Sequence, residues 1–401
     1  MQRVECTALC ARPRTVLLES SIYTVLPHTP NESVSNLWQP RAMSKSACRQ
    51  LESRPGIEGG FWVRVVTTGA RIVASALITS LVLSSQVHAQ GAASAPDANL
   101  RTVRAILETP DADIDLAKAE VSIEHMIDPT VDVPRALAQL DAMANWIKSM
   151  LPAGASSRLT MDALRYHLYQ PSPWNGNRPY SYDLDDPFGA NVHNKLLTAY
   201  IASRKGNCVS MPLLFIVLGQ KLGIDVTPSL APNHVFVKYR DSDGQFYNLE
   251  TTSGAGFTRD VWMRQQFPMT DKALASGIYM RPLTKKEAVV VMVGTLLEFY
   301  GQQGLEDRSI SMADLARRYS PKDVSIILEK RHAYFMMQKH EFVDKYARPA
   351  DIPLGQRPRF TELDAQLKGL YEQAYALGWR PPDQASEESY LRTISRAKSA
   401  H

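Results

Sequence analysis

The chain has 401 residues, 44% of them hydrophobic and 21% charged, enough apolar material for a buried core and too much for a disordered chain. Its length suits two or three domains. The formal net charge of +4 is carried by the N-terminal part. Residues up to Ala89 hold nine of the 45 Lys and Arg and five of the 41 Asp and Glu, so the remainder carries 36 of each. No basic stripe remains to hold phosphates, which excludes nucleic acid as the expected partner.

Residues 1–63 are rich in Ser, Pro and Arg and show no periodicity. An over-extended reading frame, with the start at Met43 or later, accounts for them, and they are assigned no fold. Residues 64–89 read as a signal peptide. Arg64 and Arg71 form a positive region, Ile72 to Leu83 an apolar stretch, and Val87-His88-Ala89 the small residues of a cleavage site. The apolar stretch falls short of the roughly 20 residues that span a bilayer. The expected location is therefore periplasmic or secreted, with membrane contact only through the signal segment. Cleavage after Ala89 removes Cys6, Cys10 and Cys48 and leaves Cys208 alone. A single thiol in an oxidising compartment is either buried and inert or kept for its reactivity.

Residues 90–98 form a small-residue linker. Helical spacing then runs through 113–128, through 133–151 with Pro134 in a first-turn position, and through 158–170. Residues 171–192 are a loop dense in Pro, Gly, Asn and aromatics. Trp174, Tyr180 and Tyr182 there suit either a cleft wall or a packed loop, and Asp183, Asp185 and Asp186 read as a solvated turn. A helix follows over 194–204. Next come Gly-Asn-Cys and the apolar helical run 211–224, ended by Gly223. The segment HVFVKYR alternates as a strand, Asp241-Ser-Asp-Gly244 turns, and FYNLETT is a second strand. From Leu283 to the C-terminus the pattern is helical. Ala316, Tyr319 and Pro321 hint at a helix-pair repeat of the tetratricopeptide kind, beside the plainer reading of a helical appendage.

Cys208 stands at or beside a helix start. Gly206 permits a tight turn before it, Asn207 or Ser210 can cap the helix, and Pro212 belongs in the first turn because it has no N–H. Free N–H groups and the helix dipole favour a thiolate there and can hold an oxyanion. His234 opens the strand 26 residues on and shares a face with Phe236 and Lys238. Asn248 and Glu250 share a face of the return strand. A three- or five-residue connection sets Glu250 directly opposite His234; an even one sets Leu249 and Thr251 there instead. Cys with scattered His lacks the short spacings of a zinc site, and no cofactor motif is present.

The stretches GNCVSMPLLFIVLGQKLGI, NHVFVKY and FYNLETTSG resemble the transglutaminase-like superfamily, and more narrowly its bacterial branch with helical or tetratricopeptide-like flanks. The resemblance covers residues 110–260 well. It implies an α+β fold in which a helix carrying Cys packs on a small antiparallel sheet, with mostly helical flanks. The domain would span 100–280 and a helical region 281–401. It also implies Cys208 as nucleophile and His234 as base. Glu250 falls where the family usually has Asp, so the third role stays open between Glu250 and Asn248. The implied activity is acyl transfer from peptide or protein amides through a Cys thioester, by hydrolysis or transamidation. The alternative is an inactive member of the fold that binds a protein partner through its helical flanks.

Overall fold

A computed structural model describes residues 97–382 and scattered positions between 388 and 398. The leader, the signal segment and the linker up to residue 96 lie outside the described residues, as does the side chain of Trp174, while the linker's last two residues, Asp97 and Ala98, belong to the cap and start of the first helix.

Four helices open the described chain: α1 (Ala98–Glu108), α2 (Leu116–Ile127), α3 (Val133–Ser149) and α4 (Ser157–Tyr169). Side chains of Asp97, Asp115, Asp132 and Ser156 cap them in turn, and Pro134 lies in the first turn of α3. The loop after α4 carries a two-residue strand, β1 (Ser181–Tyr182). It pairs in parallel with β2 (Lys205–Gly206), which follows the short helix α5 (Leu197–Ser203). The central helix α6 (Ser210–Leu222) comes next. Every residue from Ser210 to Gly219 is buried, as expected of a helix apolar on all sides. It is wedged between α3, α4, α5 and a four-stranded sheet. Each of its fully buried Leu, Ile, Phe and Val side chains contributes about 2 kcal/mol of hydrophobic transfer.

That sheet has the order β3 (Val226–Ala231), β4 (His234–Arg240), β5 (Phe246–Glu250), β6 (Gly256–Thr258), antiparallel throughout. Two of its strands, β4 and β5, are those read from alternation. β3 carries Pro228, which removes a ladder donor and hides the strand pattern; the proline is tolerated because β3 is an edge strand. β6 is only three residues long. One sheet face sends Val237, Tyr239 and Leu249 into the main core with α6. The other packs Phe236 and Ala231 on Met263, which belongs to α7 (Asp260–Gln266); α8 (Asp271–Ser276) follows. Both short helices lie where no periodicity was readable.

Four longer helices complete the chain: α9 (Lys285–Gln302), α10 (Glu306–Tyr319), α11 (Val324–Gln338) and α12 (Arg357–Ala376), each packed on the next. Ala316 and Tyr319 end α10, and Pro321 lies in the link to α11. α9 also packs on α2. Val289, Val293, Leu296 and Leu297 of α9 share one core cluster with Val121 of α2 and Leu214 of α6. The hydrophobic core therefore runs unbroken across residue 280. No helix among the described residues is long and apolar enough to cross a membrane.

Candidate active site

Cys208 sits in the turn that leads into α6. The cap is Asn207, which is buried. Its Oδ1 accepts from the N–H of Val209 (3.0 Å) and of Ser210 (3.2 Å), while its own N–H donates to Ser210 Oγ (3.1 Å). Both caps considered from sequence thus act together, as a reciprocal pair. The Asn207 Nδ2 donates to Asn194 O at 3.1 Å and ties this turn to the preceding loop. Gly206 is required for a reason other than the turn first ascribed to it. It lies in extended backbone, and a Cβ there would fall 2.6 Å from the Tyr200 ring and 2.9 Å from Met211 Cγ. Among the described residues nothing accepts from the Cys208 N–H, so this donor is free to face a developing oxyanion.

His234 follows a two-residue turn, Pro232-Asn233, in which Asn233 has φ 55°. That turn brings Asn233 O to 3.9 Å from the Cys208 Sγ, the acceptor for the thiol proton. The Cys208 side chain lies beside the His234 ring, close enough to help hold up the imidazole's pKa. On the ring's other side, His234 Nε2 lies 2.7 Å from Glu250 Oε2, with both residues buried. Nε2 being engaged, Nδ1 is the nitrogen left for the thiol. Glu250 Oε1 accepts from the Thr252 N–H (3.0 Å) and Thr252 Oγ1 (2.6 Å), so each carboxylate oxygen is held. The Phe267 ring stacks on the imidazole at 4.2 Å between centroids and 12° between planes.

The register corrects one expectation. The β4–β5 connection spans five residues, and Arg240 pairs with Phe246. Continued along the strands, this sets Glu250 opposite Phe236, not opposite His234. Glu250 stays on the face of His234 and reaches it diagonally. The extra methylene of Glu over Asp suits that longer reach. Asn248 does not join the cluster: its Nδ2 donates to Asp260 Oδ1 at 2.7 Å. Of the four residues picked from sequence, the structure therefore brings Cys208, His234 and Glu250 together and leaves Asn248 apart.

The electrostatics follow from burial and these partners. Burial alone would lower the His234 pKa. The Glu250 carboxylate and the Cys208 side chain outweigh it, and the imidazole is pushed up to about 10. Burial alone would raise Glu250; the His234 ring and the two Thr252 donors hold it below its usual value instead. The site thus places an imidazolium beside a half-exposed cysteine at the start of α6.

Both tyrosines of the aromatic loop take the packed-loop reading. Tyr180 is buried, edge-on to Tyr200 at 5.2 Å, and Tyr182 donates to Pro187 O at 2.6 Å; both are packing residues. Asp185 is exposed and pairs with Lys205. Asp186 holds the loop by accepting from Ala190 N, Asn191 N and Asn194 Nδ2. Asp183 is buried, so the solvated-turn reading fails for that residue. Among the described residues no group of three or more His, Cys, Asp or Glu is arranged to hold a metal.

Residues 134–291 match the family model of the transglutaminase-like superfamily. That segment is similar to transglutaminase-like superfamily domains. It runs from the first turn of α3 into the first two turns of α9 and contains the whole four-stranded sheet, Cys208, His234 and Glu250. The match gives the segment the general fold of thiol enzymes, here with helices before and after it. No match was found among curated proteins or solved structures. Two contributors to the transglutaminase-like site escaped the sequence reading. Thr252 had a readable signal, since Ser and Thr two residues after a carboxylate commonly close a local turn. Phe267 had none: it lies 33 residues beyond His234 in sequence and reaches it only through the placement of α7.

Proposed function

We propose that this chain is a thiol enzyme that cleaves or transfers the acyl group of peptide or protein amides, acting outside the cytoplasm. The observation that carries the reading is the buried His234–Glu250 pair, 2.7 Å apart, with the half-exposed Cys208 beside the ring in the turn that starts α6. The Cys208 thiolate attacks the amide carbonyl carbon, and the Cys208 N–H faces the oxygen as charge develops on it. His234, already protonated, gives its proton to the nitrogen. The C–N bond breaks, the amine leaves, and a thioester to Cys208 remains. The neutral imidazole then takes a proton from water, or from an acceptor amine, as that nucleophile attacks the thioester. Glu250 orients the ring and stabilises its charged form, the role a carboxylate has in other nucleophile–His arrangements. The signal-peptide pattern of residues 64–89 and a single cysteine in the remaining chain support an extracytoplasmic site of action. The test is to incubate the protein with a mixed pool of peptides, quench in acid and weigh the Cys208 peptide. A hydroxylamine-sensitive acyl adduct, absent in Cys208→Ser, is expected. A reactive Cys208 that never acquires an acyl group from any peptide or protein amide would refute the reading.

A further inference from the structure

The contacts that hold Asn207 lead away from the superfamily segment. Gly189 (φ 61°) packs where a Cβ would fall 2.6 Å from Lys195 Cε and 2.9 Å from Asn207 Nδ2, so the Lys195 stem, Gly189 and the Asn207 amide meet at one point. Asn194, beside Lys195, offers the carbonyl to which Asn207 Nδ2 donates. Lys195 Nζ in turn bonds Glu298 Oε2 at 2.5 Å, with both side chains 9% exposed. One turn along α9, Gln302 Nε2 donates to Ala190 O at 3.2 Å. Glu298 and Gln302 stand four residues apart and so share one face of α9. Both lie beyond residue 291, where the superfamily match ends. The route is continuous: from α9 to the 189–195 loop, from that loop to the Asn207 amide, and from Asn207 to the N–H groups of Val209 and Ser210 that fix the turn bearing Cys208.

We propose that Lys195 and Glu298 are positioning residues for the Cys208 thiol, so that helix α9 is a working part of the site and not a cover for it. This rests on the reading in which Cys208 is the nucleophile. A free Lys195 would no longer pin the loop against Gly189, Asn194 O would drift, and the cap on the first turn of α6 would loosen. Cys208 would then lose its fixed approach to His234.

The test uses the full chain as wild type, Glu298→Gln, Gln302→Ala and His234→Ala. Two quantities are read: amide hydrogen exchange at Val209 and Ser210 against the α6 interior, and the pH midpoint of alkylation at Cys208, located by peptide mass. In Glu298→Gln, protection at Val209 and Ser210 is expected to fall about fivefold, the size of one lost cap, while the α6 interior holds. The alkylation midpoint should move up. Gln302 is exposed and its loss spares the fold, so Gln302→Ala should move both readings the same way by about twofold, the size of one weak hydrogen bond. If Glu298→Gln does not fold, Gln302→Ala decides alone. Folded variants with Val209, Ser210 and the midpoint all unchanged overturn the proposal. A wild type that alkylates just as His234→Ala does would instead refute the enzyme reading, while the exchange data still decide whether α9 holds the Cys208 turn.

Discussion

Replacing Glu250 with Gln removes one negative charge and keeps the side-chain shape. In the wild type, burial pulls the His234 ring down, and Glu250, 2.7 Å away, and Cys208 hold it up to about 10. Charge centres near 4 Å apart interact by about 4 kcal/mol at the effective dielectric of a protein site, and at 1.36 kcal/mol per unit this is about three pKa units. The ring in Glu250→Gln is therefore expected to titrate close to its ordinary value, about three units below the wild type. Both Glu250 oxygens accept hydrogen bonds, so the amide of Gln leaves one donor unmatched, which costs about 1–3 kcal/mol of stability. The assay is the NMR titration of the His234 ring, with Glu250→Asp beside it. The Asp carboxylate sits one methylene back from a diagonal partner, so an intermediate ring pKa is expected. A His234 ring that titrates in Glu250→Gln where it does in wild type refutes the reasoning.

Asn207→Ala removes the cap of α6 and should lower stability by about 1–2 kcal/mol in urea melts while slowing Cys208 alkylation; an unchanged melt would show that the turn holds itself. Gly206→Ala puts a methyl 2.6 Å from the Tyr200 ring, and overpacking of this kind costs about 1–3 kcal/mol, which a urea midpoint will show directly. The pH dependence of stability has a definite sign. The His234 ring titrates near 6.5 when unfolded and about 10 when folded, so its contribution is complete below the first value and lost as pH rises through the second. Glu250 is shifted down, so its contribution is present above its unfolded value and lost as pH falls through the depressed one. Urea midpoints of wild type minus His234→Ala should accordingly shrink towards pH 10, and a constant difference would contradict the assignment.

Much of the site was legible before any coordinates. Cys208 before an apolar run, with Asn, Ser and Pro212 around it, can hardly be anything but a helix start, because each residue satisfies or lacks a backbone donor in a way only the first turn tolerates. His234 and Glu250 were placed on facing strands by alternation alone. Sequence could not fix the register, because one residue more or less in the β4–β5 turn changes which face Glu250 takes. β3 was hidden by Pro228, whose tolerance depends on its lying at a sheet edge, a property of the assembled fold. The link from α9 to Asn207 was invisible for a different reason. Lys195 and Glu298 stand 103 residues apart, and nothing in either neighbourhood distinguishes them from surface charges.

The most direct test is the rate of Cys208 alkylation by iodoacetamide across pH, read by peptide mass, in wild type and His234→Ala. A free thiol titrates near pH 8.5. The expected result is a wild-type plateau reached well below that value and shifted upward in the variant, the signature of an imidazolium-stabilised thiolate. Alkylation only after denaturation, or an identical curve in His234→Ala, would contradict a His-coupled nucleophile and with it the enzymatic reading of this chain.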